Sequence, residues 1–166
     1  MLALLLAGPV RADDAGLLHG YLRDQCLPWV TAGVAPFAGL GQAVAPADLV
    51  GIDGRMQDDA LGARLLEGGR FQAAWGVSPE AEVETRFCLI DATPSGGFVM
   101  VPGTVATGVS AALAGTGLQV DGAEPTNGPG TIGWLTPGAA PYRGLRLVLV
   151  TEPGRVKLAL MADDLD

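Results

Sequence analysis

The sequence predicts an α+β domain: an antiparallel sheet of about four to five strands with helices packed on one face. Three observations predict it. Apolar residues recur at helical spacing early in the chain, and the period changes to two after residue 70. The two clearest alternating segments, "GLRLVLVT" (144–151) and "RVKLALMA" (155–162), flank Glu152-Pro153-Gly154 and read as adjacent antiparallel strands. Helices first, then strands with one inserted helix, is the α+β order. A length of 166 residues suits one domain.

The chain opens "MLALLLAGPVRADDAG". An apolar run to Ala7 and small residues Val10 and Ala12 at the -3 and -1 positions predict a signal peptide over 1–12 and a single domain over 13–166. No apolar run approaches the roughly 20 residues of a membrane span. Asp13 or Asp14 then starts a helix with Leu17, Leu18, Tyr21, Leu22 and Cys26 on its apolar stripe, and Pro28 marks its end. "APFAGLGQAVA" (35–45) reads as a short second helix, and "MQDDALGARLLEGG" (56–69) as another, with Met56, Leu61, Leu65 and Leu66 inward.

"RFQAAWG" and "EVETRFCLID" follow as strands. In the second, Val83, Thr85, Phe87 and Leu89 share one face, and Glu84, Arg86, Cys88 and Ile90 the other. Residues 104–117 form a helix with Val105, Val109, Ala112 and Leu113 inward, and "TIGWLT" is a short strand. Pro153-Gly154 suits a type II turn, which fits hairpin twist poorly, so a loop slightly longer than two residues is expected. No internal repeat is evident.

The chain has two cysteines, Cys26 and Cys88. They are two buried thiols in a cytosolic protein or one bridge in an exported one. The leader favours the bridge, tying the first helix to a central strand. Their spacing excludes a CxxC redox motif, and with one histidine they make a poor zinc site.

Little else points to chemistry. His19, the only histidine, has no local motif and reads as a surface residue. "GVSAA" (108–112) lacks the second glycine of a nucleophile elbow, and "GPGTIG" (128–133) leads into a strand and holds a proline, unlike a phosphate loop. Asp53, Asp58 and Asp59 lack EF-hand spacing, and "ADDLD" (162–166) reads as a solvated tail. Trp29, Trp75 and Trp134 are core anchors or pocket residues, with Trp75 and Trp134 the candidate interface. Neither a cofactor nor a metal is implied. A net charge of -8 argues against nucleic acid as a partner.

The order of features resembles a set of small uncharacterised exported proteins of Gram-negative bacteria. The residues that carry the likeness are Cys26-Leu27-Pro28, Trp75, Cys88, the small-residue helix over 104–117, Trp134 and the last two strands. The resemblance implies export and brings no activity. The expected function is therefore a periplasmic or secreted, disulfide-stapled, non-catalytic envelope protein that binds a protein or small-molecule partner. The alternative is a hydrolase or other enzyme using strand carboxylates such as Glu82, Glu84 or Asp91.

Overall fold

The computed structural model describes residues 14–80, 83–92, 102–120, 131–136, 144–152 and 155–163. The leader expected over 1–12 lies outside them, as does Glu82. The first helix is built in three pieces: α1 (Asp14–Tyr21), a wide π turn over Leu22–Cys26 and α2 (Leu27–Ala32). Leu18, Leu22, Cys26 and Val30 recur every fourth residue along it, and all are fully buried.

Pro28 does not end this helix as expected. Its ring would clash with the carbonyl four residues back in a regular turn. The π turn, in which the Leu27 N–H donates to the Leu22 carbonyl, widens the helix just before it. Pro28 then falls in the first turn of α2, where a missing N–H costs little. The helix runs on to Gly33, whose left-handed conformation (φ 68°) lets its N–H bond the Trp29 carbonyl at 2.9 Å.

The remaining elements are β1 (Gln42–Val44), α3 (Gly54–Asp58), β2 (Ala60–Leu66), β3 (Phe71–Glu80), β4 (Val83–Ala92), α4 (Pro102–Ala112), β5 (Gln119–Val120), β6 (Thr131–Leu135), β7 (Gly144–Glu152) and β8 (Arg155–Asp163). The strands make one antiparallel sheet of eight, ordered β1-β2-β3-β4-β8-β7-β6-β5. This corrects the expected α+β domain with four to five strands: the molecule is mostly sheet, carrying short helices. Two segments read as helices account for much of the difference. Residues 35–45 form a turn and the edge strand β1, and residues 60–66 pair with β3 along most of their length. Nor do the helices lie on one face only. α1, α2 and α4 cover one side, and α3 sits on the other with Leu49, Ile52 and Met56.

The expected strands β3, β4, β6, β7 and β8 are all present. β7 and β8 pair out to Glu152↔Arg155, which leaves only Pro153 and Gly154 between them, a shorter connection than expected. β4 and β8 are central, and their helix-side residues Cys88, Ile90, Leu158 and Leu160 are completely buried.

The sheet contains a repeat that the sequence conceals. The pair Gln72↔Asp91 recurs as Gly144↔Asp163, and Ala63↔Ala74 recurs as Leu135↔Arg146; adding 72 to each number of the first pair gives the second. β4 and β8 meet across the approximate two-fold axis this implies. There Asp91↔Lys157 and Thr85↔Asp163 are related by the same offset. Each four-strand meander is preceded by a helix. Asp91 and Asp163, at equivalent places, are both buried carboxylates.

His19 is not on the solvent edge. It is partly buried between α1 and α4, with Nε2 3.1 Å from the Val105 carbonyl. Its ring fills the notch left by Gly108, where a Cβ would stand 1.8 Å from the imidazole Cε1. The small residues of α4 thus admit a neighbouring helix rather than the sheet alone. Val105, Val109 and Leu113 are buried as expected.

Candidate ligand-binding cleft

The disulfide Cys26–Cys88 joins the π turn to β4 across 62 residues, with Cα atoms 5.3 Å apart. Both residues have no exposed surface, and they lie in the helix-side core with Ile90. A second tie runs beside the bridge: the Trp29 indole Nε1 donates to the Phe87 carbonyl at 2.9 Å. Arg86 also reaches the helix margin, its guanidinium carbon 3.8 Å from where a Gly33 Cβ would be. There a cation complements the helix C-terminus. β4 is therefore fixed from one side by a covalent bond and an indole. Its other side, carrying Thr85, Phe87, Leu89 and Asp91, faces the segment that precedes β2.

That segment crosses the sheet as a strap. Leu49 and Ile52 bury themselves with Ala63, Ala74 and Leu89. Gln72 grips Val50 at both backbone groups, its Oε1 accepting from the N–H at 2.9 Å and its Nε2 donating to the carbonyl at 3.0 Å. Lys157 Nζ donates to the Gly51 carbonyl at 2.7 Å. Fully buried Asp91 lies by this grip, 3.5 Å from the Gln72 amide. The strap then turns into α3, where the Asp53 carboxylate accepts from the Arg55 N–H at 2.9 Å.

Between α3 and the sheet is a cleft of about 280 Å³. Asp53, Arg55 and Met56 form one wall; Ser78, Thr85, Phe87, Met161 and Arg146 form the floor and the other wall. Behind the floor Asp163 is 1 % exposed. One of its oxygens accepts from the Thr85 hydroxyl at 2.6 Å and from Arg146 Nη2 at 3.1 Å, and Arg146 Nε stands 3.1 Å from the other oxygen as an ion pair. The charge-assisted bond and the ion pair together hold the guanidinium against the carboxylate. Ser78 donates in the same way to Asp59 at 2.5 Å. "ADDLD" therefore does not begin as a solvated tail: its first aspartate anchors the cleft, while 164–166 lie outside the described residues.

The floor hydroxyls already donate to carboxylates, so each offers oxygen lone pairs to the cleft. Met56 and Met161 add flexible apolar surface. The arrangement can hold a small molecule by shape and hydrogen bonding. His19 does not reach it, since it lies on the other side of the sheet against α4.

The residues singled out in the sequence sit elsewhere. Glu84 is exposed and shares the helix-side parity of Cys88, whereas Asp91 is buried on the opposite face. These two carboxylates do not converge. Trp134 is 2 % exposed and its Nε1 is 3.2 Å from the Ser110 hydroxyl. Trp75 is half-buried against Phe37, ring centroids 5.6 Å apart. Asp53, Asp58 and Asp59 do not gather: no group of three or more histidine, cysteine, aspartate or glutamate residues that could hold a metal occurs among the described residues. No helix among them is long and apolar enough to cross a membrane.

Sequence reasoning placed Thr85 and Phe87 on one strand face and singled out Asp53 and Met56 for other roles, but it did not bring these residues together as a cleft. One signal was available: Arg146 interrupts the apolar alternation of "GLRLVLVT", and an arginine on a central strand needs a buried acceptor. No family model, curated protein or solved structure matches the chain.

Proposed function

We propose that this chain is an exported, non-catalytic binding protein that holds a small molecule in the cleft between α3 and the sheet. The cleft itself carries the reading: its polar floor is pinned by the Arg146–Asp163–Thr85 network, and its strand β4 is braced from behind by the disulfide. A rigid, preformed site binds without first meeting the cost of ordering its own residues. The bridge, together with the leader and the likeness to small exported proteins, supports a periplasmic or secreted location.

Two measurements test this. Protein isolated from its native host is expected to begin at Asp13 and to show no free thiol after unfolding; a chain that keeps residues 1–12 in the cytosol would contradict export. In a melting screen of small molecules, some are expected to raise the midpoint of the wild type but not of Met161→Trp, whose indole fills the cleft while its circular dichroism stays wild-type. Equal shifts in both proteins would place binding elsewhere.

A further inference from the structure

The two-fold relation within the sheet says what its far face accepts. The pair Ala74↔Leu89 recurs as Arg146↔Met161, and Leu89↔Ala159 recurs as Phe87↔Met161. Arg146, Met161 and Phe87 line the cleft. Their counterparts Ala74, Leu89 and Ala159 pack with Leu49 and Ile52 of the strap. In the first half of the sheet the strap therefore fills the place that the cleft takes in the second. The cover differs accordingly: Ala63 is 3 % exposed beneath the strap, and its counterpart Leu135 is 44 % exposed. What fills the first place is a peptide. Leu49 and Ile52 are buried and Val50 faces out, while Gln72 and Lys157 bond the backbone at Val50 and Gly51. Lys157 is the counterpart of Thr85 on the cleft floor.

We infer that the cleft binds a short neutral peptide through one aliphatic side chain, laid on Met161 and Phe87 as Leu49 and Ile52 lie on their counterparts. This rests on the cleft being the ligand site. The hydroxyl hydrogens of Ser78 and Thr85 are engaged by Asp59 and Asp163, so both oxygens face a ligand as acceptors. An amide N–H is the donor that suits them. The wall holds both an acid, Asp53, and a base, Arg55, and so favours neither sign of charge. Arg146 stands where the first half has Ala74, which leaves the apolar contact to Met161 and Phe87. The volume of about 280 Å³ falls just under the usual range of about 300–1,000 Å³ for drug-sized ligands, so a residue or two enters and a longer segment does not.

The test uses protein labelled with ¹³C at its methionine methyls and three probes: N-acetyl-leucine methylamide, its ester analogue with oxygen in place of both N–H groups, and N-acetylglycine methylamide. Substitution of Met56 or Met161 by leucine assigns the two cleft signals. The leucine amide is expected to shift both saturably in the wild type and to leave Met56 unmoved in Met161→Trp. The ester should bind about three- to tenfold more weakly, the scale of one net hydrogen bond. The glycine compound should bind about ten- to a hundredfold more weakly, the scale of one buried aliphatic side chain. If either binds as well as the leucine amide, the peptide reading is overturned while the cleft stands as a binding site. An amide shift of Met56 that survives in Met161→Trp places the peptide elsewhere and overturns it too. If no probe moves either signal the peptide reading also falls, and the melting screen decides separately whether the cleft binds another small molecule.

Discussion

Replacing Cys88 by serine is expected to remove roughly 2–5 kcal/mol of stability, the usual range for loss of a native disulfide in a small secreted domain. The bridge closes 62 residues. In the chain-entropy description a loop of that length contributes about 4 kcal/mol, a large share of the roughly 5–15 kcal/mol by which domains are stable. The new hydroxyl would also sit where no surface is exposed. Cys26→Ser should cost a similar amount, and the double variant little more than either, because all three lose the same bond. Urea unfolding in the absence and presence of reductant checks this: reductant should bring the wild type down to the level of the double variant and leave that variant unmoved. A single substitution costing less than about 1 kcal/mol would show that the helix and β4 hold together without the staple. The consequence reaches the cleft, since Thr85 and Phe87 belong to the strand that the staple holds.

The second large effect is expected at Arg146. Arg146→Met keeps most of the stem but leaves the Asp163 carboxylate, 1 % exposed, with the Thr85 hydroxyl as its remaining partner from the network. Removing one partner of a buried ion pair costs about 3–5 kcal/mol, because the other charge stays buried. Removing the charge as well should recover much of that. The double variant Arg146→Met/Asp163→Asn is therefore expected to be more stable than Arg146→Met alone, read as a higher denaturation midpoint at unchanged slope. If the double variant is the less stable of the two, the account of a charge held by its counter-ion fails.

The hairpins were legible in the sequence because burial wrote itself into alternation: in β4 the residues 88 and 90 face one core and 89 the other, and β7 and β8 repeat the pattern. The bridge was legible from two thiols and an expected leader. β2 was not. Leu61, Leu65 and Leu66 meet a helical template and their neighbours are good helix formers, yet the segment pairs with β3. Gly62 takes Trp75 across the strands, where a Cβ would stand 2.3 Å from the indole Cζ2. Local preference yields here to a tertiary contact. The repeat escaped for a related reason. Across β3–β4 and β7–β8 the equivalent positions share only Glu80 with Glu152 and Asp91 with Asp163. A sheet fixes pairing and facing, and leaves side-chain identity free wherever burial alone is required. Pro28 misled because its effect depends on position, and a π turn moved it to where it is tolerated.

The cleft was the least legible part. Its walls come from α3, β3, β4, β7 and β8, so its residues converge only once the strand order is known, and that order runs through the non-sequential neighbours β4 and β8. Each residue has an ordinary alternative role on its own element. Arg146 and Asp163 are the exception, since the pair makes sense only when the two strands are put side by side.

Native mass spectrometry of the protein purified gently from its native host tests the central claim, that the cleft holds a small molecule, most directly. The wild type is predicted to carry a small non-covalent adduct that gas-phase activation expels, and Met161→Trp is predicted to travel at its bare mass. A wild-type protein free of any adduct, or the same adduct on both proteins, would contradict it.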